Sequence, residues 1–129
     1  MSDNKRKILE QYTKAWNDHD TQAILSMMTD DCVFYAIAGP EVNGTPHKGK
    51  EKVGAAADAV WKNFPDAAWL DGEIFILDDT RAMVTCRFKA TDLDGGKHEA
   101  QMVDLYEFDG DKIAVKNAFR KNRPAVKEG

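Results

Sequence analysis

The sequence predicts an α+β domain, with three amphipathic helices in its first half and an antiparallel meander in its second. Three observations lead there. Apolar residues recur at helical spacing across 5–16, 21–28 and 50–64. From residue 73 onward they alternate at period two, as strand residues do. Short turn signals separate the alternating runs: Asp78-Asp79-Thr80, Asp94-Gly95-Gly96 and Asp109-Gly110-Asp111. A twisted sheet needs its apolar face covered, and three such helices can cover it. The 129 residues fit one domain spanning 1–129, large enough for a proper core.

Each element has its own signal. Lys5 to Trp16 carries Ile8, Leu9, Tyr12, Ala15 and Trp16 on one stripe, with Ser2 or Asp3 as cap. Asp20 or Thr21 caps a second, shorter helix that turns Ile24, Met27 and Met28 inward. Thr29-Asp30-Asp31 ends it, and Cys32-Val33-Phe34-Tyr35 reads as a short strand. Residues 36–49, rich in glycine and proline, form a loop suited to a pocket rim. Lys50 to Phe64 is the third helix, with Val53, Ala57, Val60, Trp61 and Phe64 on its stripe and Pro65 as its stop. The strands follow: Glu73–Leu77, Ala82–Ala90, His98–Phe108 and Ile113–Phe119. Lys121 to Gly129 reads as a flexible tail.

Composition narrows the function classes. Net charge is −4 with acids and bases interspersed, so no nucleic-acid partner is expected. No apolar run is long enough to span a membrane, and the polar N-terminus lacks a signal-peptide core. With two cysteines, Cys32 and Cys86, and no export signal, reduced thiols and a cytoplasmic location are expected. Cys86 falls on the apolar side of its strand and reads as inert core.

Several motifs fall short of a cofactor or metal site, and none is expected. Gly44 to Glu51 nearly matches a phosphate-binding loop, but Glu51 stands where a Ser or Thr hydroxyl must hold magnesium. His19, His47 and His98 are scattered without metal-ligand spacing. Asp92-Leu93-Asp94-Gly95-Gly96 is too short for a calcium loop and reads as a hairpin turn.

Asp104 stands out. It shares a strand face with Ala100, Met102, Tyr106 and Phe108, and a carboxyl on an apolar face is costly unless paired or protonated. It is a candidate for acid–base chemistry, or else a buried aspartate satisfied by a lysine or backbone donors. Tyr12 lies on the apolar stripe of the first helix, so its hydroxyl points inward and needs a partner.

Two segments carry a family resemblance. Tyr12-Thr13-Lys14-Ala15-Trp16-Asn17-Asp18-His19-Asp20 followed by Met27 to Phe34 resembles the opening of SnoaL-like and ketosteroid-isomerase-like proteins of the nuclear transport factor 2-like superfamily. Val103 to Ile113 resembles their penultimate hairpin, and Gly49-Lys50-Glu51-Lys52-Val53 the start of their third helix. The resemblance implies a cone, a curved antiparallel sheet wrapped around three helices with a mostly apolar pocket between them. It also implies polyketide-cyclase, isomerase or non-catalytic binding functions, which the fold does not decide between.

In ketosteroid isomerases a helix-one tyrosine and a strand aspartic acid form the oxyanion hole, and Tyr12 and Asp104 fall on those positions. The general base falls on Ala36, which cannot carry a proton, so steroid isomerisation is not expected. SnoaL-type cyclases imply instead an acid–base role for Asp104. Trp16, Trp61 and Met102 are the expected apolar walls.

The last hairpin's register decides Asp104's neighbour. A three-residue loop at Asp109-Gly110-Asp111 sets Lys116 opposite it; a two-residue turn at Asp109-Gly110 sets Val115 there. The family alignment favours Lys116, which would pair with the carboxylate and hold it ionised. Three functions stay open at this point: an enzyme acting on a small apolar carbonyl compound, a ligand-binding module, and an assembly domain. The sheet's outer face, with Val103 and Leu105, suggests a homodimer.

Overall fold

A computed structural model describes residues 2–127, and the side chains from Asn4 to Lys127. Helix α1 (Ser2–Asn17) buries Leu9, Tyr12, Ala15 and Trp16 along the expected stripe. The cap expected from Ser2 or Asp3 lies outside the described side chains. Asp20 caps α2 (Thr21–Ser26), its carboxylate accepting from the Ala23 amide at 3.1 Å. Helix α3 (Lys50–Asn63) buries Val53 and Ala57 and ends at Phe64, ahead of Pro65.

The strands are β1 (Met28–Tyr35), β2 (Pro46–Lys48), β3 (Ala68–Ile76), β4 (Arg81–Thr91), β5 (Lys97–Asp109) and β6 (Lys112–Arg120). They form one curved, unclosed sheet in the order β2-β1-β6-β5-β4-β3. Period-two burial is clear in β4, where Ala82, Val84, Cys86, Phe88 and Ala90 face inward, and in β5, where Met102, Asp104, Tyr106 and Phe108 do. The helices pack on this inner face and one core forms between them. Among the described residues no helix is long and apolar enough to cross a membrane.

Four expectations need correction. The sheet is mixed, because β1 runs parallel to β6. That pairing joins strands from the two ends of the domain, so no local turn signal reports its direction. Strand β1 starts at Met28, so Thr29-Asp30-Asp31 lies within the strand and Met28 is its first residue; the helix already ends at Ser26. The loop after β1 contains β2, which pairs Phe34 with His47. Strand β3 starts at Ala68, five residues before the expected Glu73, and is broken by a bulge where Asp71 takes a φ of 58°.

The segment between β1 and β2 is folded tightly. Ala36 and Thr45 are joined by a backbone hydrogen bond of 3.0 Å, and Gly44 approaches Ala36 so closely that an added Cβ would lie 1.9 Å from its carbonyl oxygen. Within the expected tail, Val126 and Lys97 exchange backbone hydrogen bonds of 2.6 and 2.9 Å. Glu128 and Gly129 lie outside the described residues.

Candidate functional site

The inner face of β5 and β6 carries two buried charges. The β5–β6 turn is Gly110-Asp111, and a bulge opposite Glu107 and Phe108 skips Ala114. The register that results pairs Asp104 with Ala118 and Tyr106 with Lys116. This corrects both registers considered from sequence, since neither Lys116 nor Val115 lies directly opposite Asp104. Lys116 does share its face, two pairs along, and its long stem closes the diagonal. The ammonium stands 3.2 Å from Asp104 Oδ2 and donates to the Tyr106 hydroxyl at 3.2 Å. Asp104 is 4% exposed and Lys116 6%.

Aromatic rings surround the ammonium. Its Nζ lies 5.1 Å from the ring centre of Trp16, 5.3 Å from Tyr106, 5.7 Å from Phe34 and 5.9 Å from Tyr12. Sheet pairing supplies two of these rings, because Phe34 on β1 and Tyr106 on β5 flank Lys116 on either side. Helix α1 supplies the other two, one turn apart. Ring faces attract a cation, so the cage and the carboxylate together replace the water that Lys116 lost on burial. Other acids in this region are held neutral. Burial first, and the Asp104 carboxylate second, push the Tyr106 hydroxyl well above its ordinary pKa. Burial pushes the Cys86 thiol up to about 11, again with Asp104 adding to it.

Two cavities share Lys116 in their lining. The smaller, of about 20 Å³, is lined by Asp104, Lys116, Tyr106, Cys86, Trp16 and Trp69 among others, room for about one water-sized group. Asp104 Oδ1 and Trp16 Nε1, one acceptor and one donor, are buried without a hydrogen-bond partner among the described residues, and both residues line this cavity. The larger, of about 280 Å³, is mostly apolar. Trp16, Phe34, Trp69, Phe88 and Met102 form its walls, Lys116 lies at one end, and Ala36, His47 and Arg120 border it. A groove of about 480 Å³ lies on the sheet's outer face beneath the 39–44 loop, and Ala36, Ile37, Met102, Ala118 and Arg120 border both spaces.

The expected site is therefore assembled in part. Asp104, Lys116, Trp16 and Met102 come together as anticipated. Tyr12 does not meet Asp104: it is fully buried, and its hydroxyl is directed at Met28 Sδ, 3.5 Å away. Tyr106 packs edge-on against Tyr12 and takes the place beside the pair. Trp61 is not a wall of the cavity; it stacks on His19 and supports Trp16 from behind. Tyr106 and Arg120 escaped the sequence reading. Both share the parity of Asp104 and Lys116 on their strands, and that parity was the available signal.

Chemically, a carbonyl oxygen reaching the inner end of the large cavity meets an ammonium already oriented by a carboxylate. Such a preorganised donor stabilises charge that develops on oxygen, as in an enolate.

Comparison with known proteins agrees with this architecture. A SnoaL-like domain model matches residues 9–116. No match is found among curated proteins. A candidate polyketide cyclase from Xanthomonas campestris pv. campestris superposes with a TM-score of 0.82 at 13% identity, over 92% of this chain and 91% of that one. A phenazine biosynthesis-related protein from Pseudomonas aeruginosa gives 0.78 at 22% identity, over 98% and 94%. A protein of ketosteroid isomerase-like fold from Catenulispora acidiphila, in complex with trimethylamine, gives 0.76 at 12% identity, over 87% and 83%. At these identities the structures speak for the fold alone. The domain match, covering most of the chain from α1 to Lys116, carries the assignment further: the chain belongs to the SnoaL-like family.

Proposed function

We propose that the protein binds a compact, largely apolar carbonyl compound in its 280 Å³ cavity and performs acid–base chemistry on it without a metal. The observation that carries this reading is the buried Asp104–Lys116 pair, whose lysine lines that cavity. Lys116 polarises the carbonyl, Asp104 is the acid–base group behind it, and Tyr106 orients the ammonium. Tyr12 contributes by packing against Tyr106. The volume is at the small end of ligand pockets, about 300–1,000 Å³, and suits a compact ligand better than a steroid. We further propose a homodimer joined through the sheet's outer face, where Leu105 and Phe119 are exposed.

One observation favours a second reading, a binding module without turnover. The cavity wall offers alanine at position 36, where the related isomerases place a base. A thermal-shift screen of small ketones, enones and aromatic aldehydes separates the two, followed by product analysis for each binder. A binder raises the melting temperature with its concentration. The enzymatic reading expects conversion by the wild type, and loss of conversion with retained binding in Asp104→Asn. Full conversion by that variant sinks the acid–base role. Binding without conversion across the panel leaves the binding module. A panel without any binder removes both readings.

A further inference from the structure

We infer that the ligand carries a carboxylate at the end remote from Lys116, and that Arg120 binds it. This inference rests on the cavity reading above and adds the chemical class of the ligand.

Arg120 is the last residue of β6 and lies on the same inner face as Lys116 and Ala118. It borders both the large cavity and the open outer groove. Its guanidinium lies 4.6 Å from the ring centre of Phe88. It makes no hydrogen bond or ion pair among the described residues, and burial alone acts on it, pushing its pKa down. The chain's other four arginines are all engaged. Arg81 pairs with Asp78, and Arg87 with Asp71 and Glu99. Arg6 donates to the Ile74 carbonyl and Arg123 to that of Glu99. A guanidinium that is half withdrawn from water and lacks a partner is costly, and it sits where it can meet a ligand.

The surroundings select the ligand's charge. Neither the cavity nor the groove is lined by an aspartate or glutamate, although the chain as a whole carries a net charge of −4. The charge of Lys116 is already matched by Asp104, so among the described residues Arg120 is the uncompensated Lys or Arg of the large cavity's lining, and Lys121 adds a second positive charge on the groove side. The contact with the Phe88 ring holds the guanidinium in place without using its N–H donors, which stay available for the two oxygens of a carboxylate. Lys116 and Arg120 are four residues apart on one strand, about 13 Å between Cα atoms. A ligand of one or two rings, carbonyl toward Lys116 and carboxylate toward Arg120, matches that span.

The test uses the full chain and isothermal titration calorimetry with three matched sets built on benzene, naphthalene and indole. Each set holds a carboxylate, its primary amide and its aminomethyl analogue. In at least one set the carboxylate is expected to bind about tenfold or more tightly than the amide, with the amine weakest. Arg120→Met should bring carboxylate affinity down to that of the amide and leave amide binding unchanged. Arg120→Lys should retain part of the preference. If Arg120→Met does not fold, Arg120→Gln gives the same comparison. Equal binding of carboxylate and amide overturns the inference and leaves the cavity reading standing. A preference that survives loss of the guanidinium overturns the role of Arg120. Failure of every member of every set to bind the folded protein overturns both.

Discussion

Lys116 and Arg120 occupy one face of one strand with only Ala118 between them, yet the protein treats the two cations in opposite ways. Lys116 has a carboxylate and a hydroxyl at 3.2 Å each and four rings within 6 Å. Arg120 has one ring and no polar partner among the described residues. The first arrangement is complete from within the chain. The second is complete only when something else arrives. A charge in the interior must be satisfied by the fold itself, because folding has to succeed without the ligand. A charge at an entrance can be left for the ligand, since water still reaches it in the ligand's absence.

The largest expected effect breaks the complete end. Lys116→Met leaves Asp104 buried and unpaired, and should cost about 3–5 kcal/mol in urea unfolding. Replacing both partners, Asp104→Leu with Lys116→Met, should recover most of that loss, because no buried charge then remains. Arg120→Met should change stability by less than about 1 kcal/mol. Similar losses for Lys116→Met and Arg120→Met would erase the distinction between the two ends.

A second experiment concerns the wall between the ends. Ala36 borders the cavity and cannot carry a proton, and a proton moves between carbons only with a positioned base. The wild type should therefore isomerise 3-cyclohexenone to its conjugated isomer barely or not at all. Ala36→Asp should be faster by about 10²-fold or more, the usual worth of a positioned base. Robust wild-type turnover would mean that another group, with His47 the nearest candidate on the wall, already serves as the base.

How much of this was legible in the sequence follows from which signals are local. Helix stripes, period-two strands and the Asp-Gly turns are local, and they supplied the elements and the inward direction of Asp104. The pairing of β1 with β6 is not local, and neither is a three-residue strand such as β2. The register of Asp104 was missed because the bulge skips Ala114, a choice made by the packing of the whole hairpin. Lys116 was still recognised, because the bulge left it on the Asp104 face. Tyr106 was counted with its apolar neighbours and its hydroxyl overlooked. Arg120 fell just past the strand end assigned at Phe119, although the parity of 116, 118 and 120 already pointed to it.

Alkali offers a gentler way to disturb the complete end. The native state holds the proton of Cys86 until a pH of about 11, against an ordinary 9.0, and Tyr106 and Tyr12 are raised in the same direction. Between those values the unfolded chain binds fewer protons than the folded one, so stability falls as pH rises. Below pH 9 this contribution is fully present. Melting temperature should therefore decline from about pH 9 upward, and Cys86→Ala should make the decline shallower. A decline of the same steepness in that variant would mean that the alkaline loss arises elsewhere.

The smallest expected change in the single chain lies on the sheet's other face. Leu105 and Phe119 are 37% and 50% exposed and point away from the buried pair. Within one chain they bury little, so Leu105→Ser and Phe119→Ser should each shift monomer stability by only about 0.5 kcal/mol. In a homodimer joined through this face, the same substitutions act on association. Light scattering of the wild type should then give twice the chain mass and its melting temperature should rise with protein concentration, while the double variant should run as a monomer whose melting temperature does not. A wild type that stays monomeric at high concentration would leave the outer face without a partner. The inner cavity would be untouched by that result, because its walls and both of its cations come from a single chain.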